Sequence, residues 1–148
     1  CGCDLLMGTC YSDAIALFCQ QHHIAYMPFV GKITGRPSIL EGSIESMVEE
    51  AKALKAKGVY GIDLLGFRYV DDAELLISEL VKRCDLPVCV AGSIDSYERL
   101  QFVKEVQPWA FTIGSAFFEH KFGDSIEEQI ERVLLSGEGK GDPLGPPA

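Results

Sequence analysis

The chain has 148 residues, of which 47% are hydrophobic and 24% charged, and 22 acidic against 13 basic residues give a formal net charge of −9. These proportions are typical of one soluble globular domain and exclude a disordered chain. The acidic balance, without a cluster of Lys and Arg, excludes a general nucleic-acid-binding surface, and no apolar run approaches the roughly 20 residues that span a membrane. No secretory signal is visible. We therefore expect a cytoplasmic protein with neither nucleic-acid nor membrane partners.

Five short apolar runs predict β-strands. In chain order they cover residues 4–8, 24–30, 59–65, 87–91 and 110–113. The runs are nearly continuously apolar and do not alternate with polar residues, which is typical of parallel strands buried on both faces. Residues 31–42, between the second strand and the next helix, are predicted to form a long loop.

A helix is predicted after each strand, since apolar residues recur there at helical spacing. In chain order the predicted N-terminal capping residues are Ser12, Ser43, Asp71, Asp95 and Ser125. The last three are each followed by Glu three residues later, which is the pattern of a capping box. The helix after Ser43 carries lysines in its last turns and ends at Gly58, as the helix dipole and the left-handed C′ position favour.

Five strand–helix units with parallel strands and right-handed crossovers fit two architectures. One is the C-terminal part of a (βα)8, or TIM-type, barrel, and the other is an open, flavodoxin-like, doubly wound sheet. A full barrel takes about 200 residues or more. The barrel interpretation therefore predicts a fragment that starts at Cys1 and lacks three N-terminal units. We expect residues 1–136 to form a single α/β domain, and the Gly- and Pro-rich residues 137–148 to form a disordered tail.

The six cysteines predict reduced thiols and no disulfide framework. Cys19 and Cys89 lie inside apolar runs, and the chain is not a small, loop-rich scaffold. Cys1 and Cys3 lack the spacing and the second pair of a structural zinc site, so we expect no metal.

The most specific pattern lies at the ends of the last two predicted strands. Gly92-Ser93 follows one strand and Gly114-Ser115 the next, within the runs 86–94 and 110–116. This pair resembles the last two units of the phosphate-binding (βα)8 barrel superfamily, which includes isomerases, epimerases, aldolases and synthases of phosphorylated sugars and some FMN enzymes. The resemblance implies a phosphate cradle at Gly92, Ser93, Gly114 and Ser115. Such a cradle uses backbone N–H groups and helix N-termini, so an acidic protein can bind an anion there.

Three ionisable residues near predicted strand ends are the candidate catalytic groups. Lys32 follows the second strand and could form a Schiff base, bind an anion, or be a solvated loop lysine. Asp63 lies inside an apolar run, where an unpaired carboxylate is costly, so it is a general acid/base, a ligand of a substrate hydroxyl, or a salt-bridge partner. Arg68 could pair with Asp63 or with a substrate carboxylate or phosphate.

Together these features predict an enzyme that acts on a phosphorylated small metabolite, with a sugar phosphate as the favoured substrate, as an isomerase, an epimerase or an aldolase-type lyase. No cofactor is expected, with an FMN-binding barrel as an alternative. The rival hypothesis is a non-catalytic, ligand-binding or regulatory module of flavodoxin-like shape. The open sheet edges of an incomplete barrel also predict pairing with a second copy of the chain.

Overall fold

A computed structural model describes residues 2–136, which form a parallel sheet covered by helices and one small hairpin. The strands are β1 (Leu5–Cys10), β2 (Ala25–Phe29), β3 (Lys32–Thr34), β4 (Ile39–Glu41), β5 (Ile62–Leu64), β6 (Val88–Val90) and β7 (Ala110–Phe111). The helices are α1 (Asp13–Gln21), α2 (Ile44–Ala56), α3 (Ala73–Arg83), α4 (Tyr97–Val106), α5 (Ser115–Phe118) and α6 (Ile126–Leu135), with a 3₁₀ turn at Gly66–Arg68. Each of the five predicted strands is present, although shorter or shifted by a few residues.

The order of the strands distinguishes the two predicted architectures. The five-stranded sheet has the order β1-β2-β5-β6-β7, and every neighbouring pair is parallel. A flavodoxin-like sheet places its first strand between two others, whereas β1 here lies at an edge. The flavodoxin-like alternative is therefore wrong. In a barrel, consecutive strand–helix units place their strands side by side in chain order, as they are here.

The two faces of the sheet differ in what they pack against. Ile62 and Leu64 of β5 belong to the apolar core beneath the helices, together with Val88 and Val90 of β6. The alternate residues of the central strands point to the opposite face, because successive side chains of a strand alternate. That face carries Met27, Asp63 and Cys89, which are buried outside the helix-covered core.

A hydrogen bond across β2 shows that the second face is concave. The N–H of Gly8 in β1 donates to Oδ2 of Asp63 in β5 at 3.0 Å, although β2 lies between the two strands. In a flat sheet, strands two apart are separated by about 9.5 Å, which an Asp side chain does not span. The pairing of β1 with β2 is irregular between Met7 and Cys10, and Gly8 has a φ of 82°. This bulge turns the N–H of Gly8 toward Asp63.

The predicted loop at residues 31–42 is partly wrong, because it contains the antiparallel hairpin β3–β4. Leu40 of β4 is fully buried in the core, which anchors the hairpin. The hydroxyl of Tyr69 donates to the carbonyl of Gly42 at 2.7 Å, and the N–H of Val70 donates to the carbonyl of Leu40 at 3.1 Å. These bonds join the hairpin to the segment that follows β5.

Some of the predicted N-terminal capping residues are confirmed, and two others lie one residue away from the predicted position. Ser43 and Ser125 accept from the N–H groups of Ser46 and Glu128, as capping serines do. Asp72 and Ser96 cap α3 and α4, one residue after the predicted positions. Each is preceded by Asp, so the sequence offers two adjacent capping side chains. Ser12 is the N-cap of α1 but makes no side-chain cap bond.

Three further findings concern residues 2–136 alone. None of the helices in this range has both the length and the apolar composition that a membrane span requires. No group of three or more His, Cys, Asp or Glu side chains in it is placed to hold a metal ion. The free cysteines described are Cys3, Cys10, Cys19, Cys84 and Cys89. Cys1 and the predicted disordered tail at 137–148 lie outside the described residues.

Candidate functional site

Asp63 is a buried carboxylate, and the described part of the chain provides a hydrogen-bond partner for one of its two oxygens. The residue is 4% exposed, and Oδ2 accepts the N–H of Gly8. Oδ1 is buried and has no hydrogen-bond partner among the residues that the structure describes. A buried polar atom without a partner costs free energy, and such atoms concentrate at functional sites. The interpretation of Asp63 as a salt-bridge partner finds no support, since no basic side chain contacts it in this part of the chain.

Burial gives Asp63 the protonation behaviour of an acid/base group. Desolvation raises the pKa of Asp63 from 3.8 to about 6, while the hydrogen bond from Gly8 acts in the opposite direction. A carboxyl group with a pKa near the working pH exchanges protons most effectively with a substrate. Of the three predicted catalytic residues, Asp63 has the environment that this chemistry needs.

Cys89 lies beside Asp63 on the concave face, where the two residues are paired in register between β5 and β6. Burial, and secondarily the nearby carboxylate, raises the pKa of the Cys89 thiol to about 11. The thiol therefore stays protonated at neutral pH and is a poor nucleophile. Cys89 is therefore a buried, unreactive side chain that packs beside Asp63.

The turn after β6 adopts an unusual backbone conformation. Gly92 and Ser93 have φ values of 82° and 48°, so both lie in the left-handed region. This conformation suits Gly92 and disfavours Ser93, because a Cβ is crowded there. A Cβ added at Gly92 would stand 2.8 Å from Cγ of Arg68. The predicted phosphate-binding turn is therefore in contact with a predicted catalytic residue.

The guanidinium of Arg68 has no partner in the described part of the chain. It makes no ion pair and no hydrogen bond with residues 2–136, and its side chain is partly buried. The predicted pairing of Arg68 with Asp63 is thus absent. A half-buried, unpaired guanidinium is suited to a carboxylate or a phosphate, which it binds with two parallel hydrogen bonds.

Arg99 is a site residue that the sequence analysis missed. Its Nη1 donates to the carbonyl oxygen of Ser93 at 2.6 Å and to Oδ1 of Asp95 at 3.0 Å. Its guanidinium also lies over the ring of Phe67, 4.9 Å from the centroid. Asp95 and Arg99 are four residues apart, which is the spacing of an ion pair on a helix. This spacing was the only sign in the sequence of a contact made by Arg99. The bond to Ser93 depends on the fold of the turn.

The second predicted glycine–serine motif lies beside the first. β6 and β7 are neighbours, and the N–H of Thr112 donates to the carbonyl of Val90 at 3.0 Å. The chain then reaches Gly114, the N-cap of α5, and Ser115 opens that short helix. A Cβ added at Gly114, an exposed residue, would meet no atom of residues 2–136 within 4 Å, so these residues leave the space beside it open. The two loops therefore lie next to each other at the carboxyl ends of β6 and β7.

Gln129 fixes the segment after Ser115, and the sequence analysis did not identify it. The side chain of Gln129 is fully buried on α6. Its amide donates to the carbonyl of Phe117 at 2.9 Å and accepts the N–H of Phe122 at 3.3 Å. A single side chain thus ties both ends of the 117–122 segment to α6.

Lys32 lies apart from the buried residues. It begins β3 of the hairpin, its side chain is 74% exposed, and its ammonium lies 3.8 Å from a carboxylate oxygen of Glu41. This is a solvated ion pair, which contributes little to stability. The structure therefore groups Arg68 with Gly92 and Ser93, places Asp63 on the concave face of the same sheet, and leaves Lys32 on the surface.

The comparisons with known proteins identify a fold and no family. Neither the family models nor the curated proteins compared with the chain include a match. One similar solved structure, described as native KDPGal, has a TM-score of 0.59 and 14% identity and matches 93% of this chain and 58% of its own. The Amycolatopsis orientalis BexX/CysO complex has a TM-score of 0.53 and 16% identity, over 98% of this chain and 60% of its own. The chain thus spans less than two thirds of either one.

Proposed function

We propose that this chain binds a phosphorylated small metabolite of the sugar-phosphate type and that Asp63 exchanges a proton with it. The reaction class is that of an isomerase, an epimerase or an aldolase-type lyase of the phosphate-binding barrel superfamily. The observation that carries the proposal is the buried Oδ1 of Asp63, which has no partner among residues 2–136, on the concave face of a parallel sheet. Ligands of such α/β folds bind beyond the carboxyl ends of the strands. The fold likeness to the structure described as native KDPGal supports the architecture on which this placement depends.

The phosphate is held by the two glycine–serine loops and by Arg68. Backbone N–H groups of Gly92, Ser93, Gly114 and Ser115 donate to phosphate oxygens in this proposal, because glycine lets a ligand approach the main chain closely. Arg68 supplies the positive charge that the loops lack, and its stem already lies against Gly92. The described residues do not obstruct the approach of a ligand to Gly114.

Asp63 carries the acid/base step. Oδ2 is held by the N–H of Gly8, so Oδ1 is the oxygen that faces the proton. In an isomerisation or epimerisation, Oδ1 removes a proton from the carbon next to the substrate carbonyl, the C–H electron pair moves toward the carbonyl oxygen, and the proton returns to carbon. In an aldol cleavage, Oδ1 takes the hydroxyl proton and the carbon that bears this oxygen becomes a carbonyl. The electron pair of the broken carbon–carbon bond moves toward the carbonyl oxygen of the other fragment, which forms an enolate. Lys32 has no part in this step, since it lacks the burial that activates Schiff-base lysines.

Calorimetric titration tests the proposal with glucose 6-phosphate and glucose as a matched pair. We expect measurable binding of the phosphate ester alone, and a loss of about tenfold in affinity or more for Arg68→Ala, the scale of one charge-assisted bond. Lys82→Ala is the control, because Lys82 is an exposed cation in the last turn of α3, at the opposite end of the strand–helix unit. Equal binding of the sugar and its phosphate, or equal losses for the two variants, contradicts the proposal.

A further inference from the structure

We infer that Arg99 is a positioning residue, which holds both the Gly92-Ser93 turn and the segment carrying Arg68 in the arrangement that binds phosphate. The inference rests on the proposed function and deepens it. Arg99 itself does not contact the ligand in this account. It acts through two contacts, one with the main chain of Ser93 and one with the ring of Phe67.

The first contact restrains a backbone that a serine does not readily adopt. The φ of Ser93 is 48°, in the region where a Cβ crowds the main chain. The carbonyl of Ser93 accepts a bond from the charged Nη1 of Arg99 at 2.6 Å, and charge-assisted bonds are the stronger class. Without this bond, Ser93 gains freedom to leave the left-handed region, and its N–H then turns away from the ligand.

The second contact connects Arg99 to Arg68. The ring of Phe67 lies under the guanidinium of Arg99. It also packs edge-on against the ring of Phe102, which lies on α4 like Arg99, and the centroids of the two rings are 6.3 Å apart. Phe67 is the residue before Arg68, whose stem lies against Gly92. Arg99 therefore fixes both neighbours of one small site, the turn on one side and the arginine on the other.

The charge of Arg99 is already satisfied within the protein, which separates its role from that of Arg68. Nη1 contacts a carbonyl oxygen and the carboxylate of Asp95, with which it forms an ion pair at 3.0 Å. One face of the guanidinium is covered by Phe67. Arg68 has no such partner in the described residues, so it is the arginine left for an anion.

The test is a double-mutant cycle of Arg99→Gln and Ser93→Gly, read as the affinity for glucose 6-phosphate. We expect Arg99→Gln to weaken binding about tenfold, as loss of a charge-assisted bond does. In the S93G background the same change should cost less than about threefold, because glycine adopts the turn without help. Arg99→Lys, which keeps a charged donor but not the flat stacking surface, should fall between.

Asp95→Asn is the control, since it removes the ion pair of Arg99 and leaves its bond to Ser93. We expect its affinity to stay within about twofold of the unmodified protein, the scale of an exposed ion pair. Equal losses for Arg99→Gln in both backgrounds, or no loss in either, overturn the inference while the proposed function stands. If Arg99→Gln does not fold, Arg99→Lys serves in the same cycle. Absence of any binding by the unmodified protein overturns the proposed function and, with it, the inference.

Discussion

The contribution of Asp63 to the stability of the folded protein is smaller at neutral pH than at acid pH. Burial raises the pKa of this carboxyl from 3.8 to about 6 in the folded state, so the folded protein binds the proton more tightly than the unfolded chain. Stability from this group is therefore complete below about pH 4 and is lost as pH rises through 6. A difference of about two pKa units corresponds to at most about 3 kcal/mol at neutral pH.

Asp63→Asn removes the ionisation and keeps the shape of the side chain. The amide oxygen can still accept the N–H of Gly8, whereas the new NH2 group is left buried, at a cost of about 1–3 kcal/mol. This cost does not depend on pH. The difference in unfolding free energy between the variant and the unmodified protein should therefore shift in favour of the variant by up to about 3 kcal/mol between pH 4 and pH 7.5.

Urea unfolding of both proteins at several pH values between 4 and 7.5 measures this shift. Asp85→Asn provides a matched control, since Asp85 pairs with Lys55, which lowers the pKa of that carboxyl, so its contribution to stability changes with pH mainly below about pH 4. The stability difference for the Asp85 variant should therefore stay nearly constant between pH 4 and pH 7.5. A stability difference for Asp63→Asn that stays constant across this range would refute the reasoning about burial.

Three more measurements concern a close contact, a buried leucine and the edges of the sheet. Gly92→Ala should destabilise the fold by about 1–2 kcal/mol and weaken phosphate binding, because φ is positive there and the new methyl group meets the side-chain stem of Arg68. Thermal unfolding measures the first effect and calorimetry the second. Unchanged stability and affinity contradict the close contact. Leu76→Ala should cost about 2–5 kcal/mol in urea unfolding, whereas Leu75→Ala, at a half-exposed site, should cost far less. Light scattering should give a mass above the 16.2 kDa of one chain. Within the described residues, β1 and β7 are the edge strands of the sheet and α6 exposes apolar side chains, and both can pair with a second copy. A mass equal to that of one chain contradicts this pairing.

The sequence was sufficient for the strand–helix order and insufficient for the hairpin. Continuous apolar runs mark buried parallel strands, and this signal located all five. The hairpin strands have three residues each and are too short to show a period. Leu40 is their buried anchor, but Ile39 beside it is half-exposed, and two adjacent apolar residues do not show which side chain points into the core. Tertiary packing, and not local pattern, forms this element.

The candidate site divides in the same way. Asp63 was identifiable because a charged residue within an apolar run is rare and costly. Its bond to Gly8 was not, since that bond spans 55 positions and depends on the curvature of the sheet. Arg99 and Gln129 occupy helix positions where polar residues are ordinary, so only the turns that they hold reveal their roles.

The central claim, a protonatable carboxyl group in the site that binds a sugar phosphate, is tested most directly by carbon NMR of the Asp63 carboxyl over a range of pH. We predict a midpoint near pH 6 for the free protein, because of burial, and a higher midpoint with glucose 6-phosphate bound, because a second negative charge disfavours the carboxylate. A midpoint near 3.8 that the phosphate ester leaves unchanged would contradict the account.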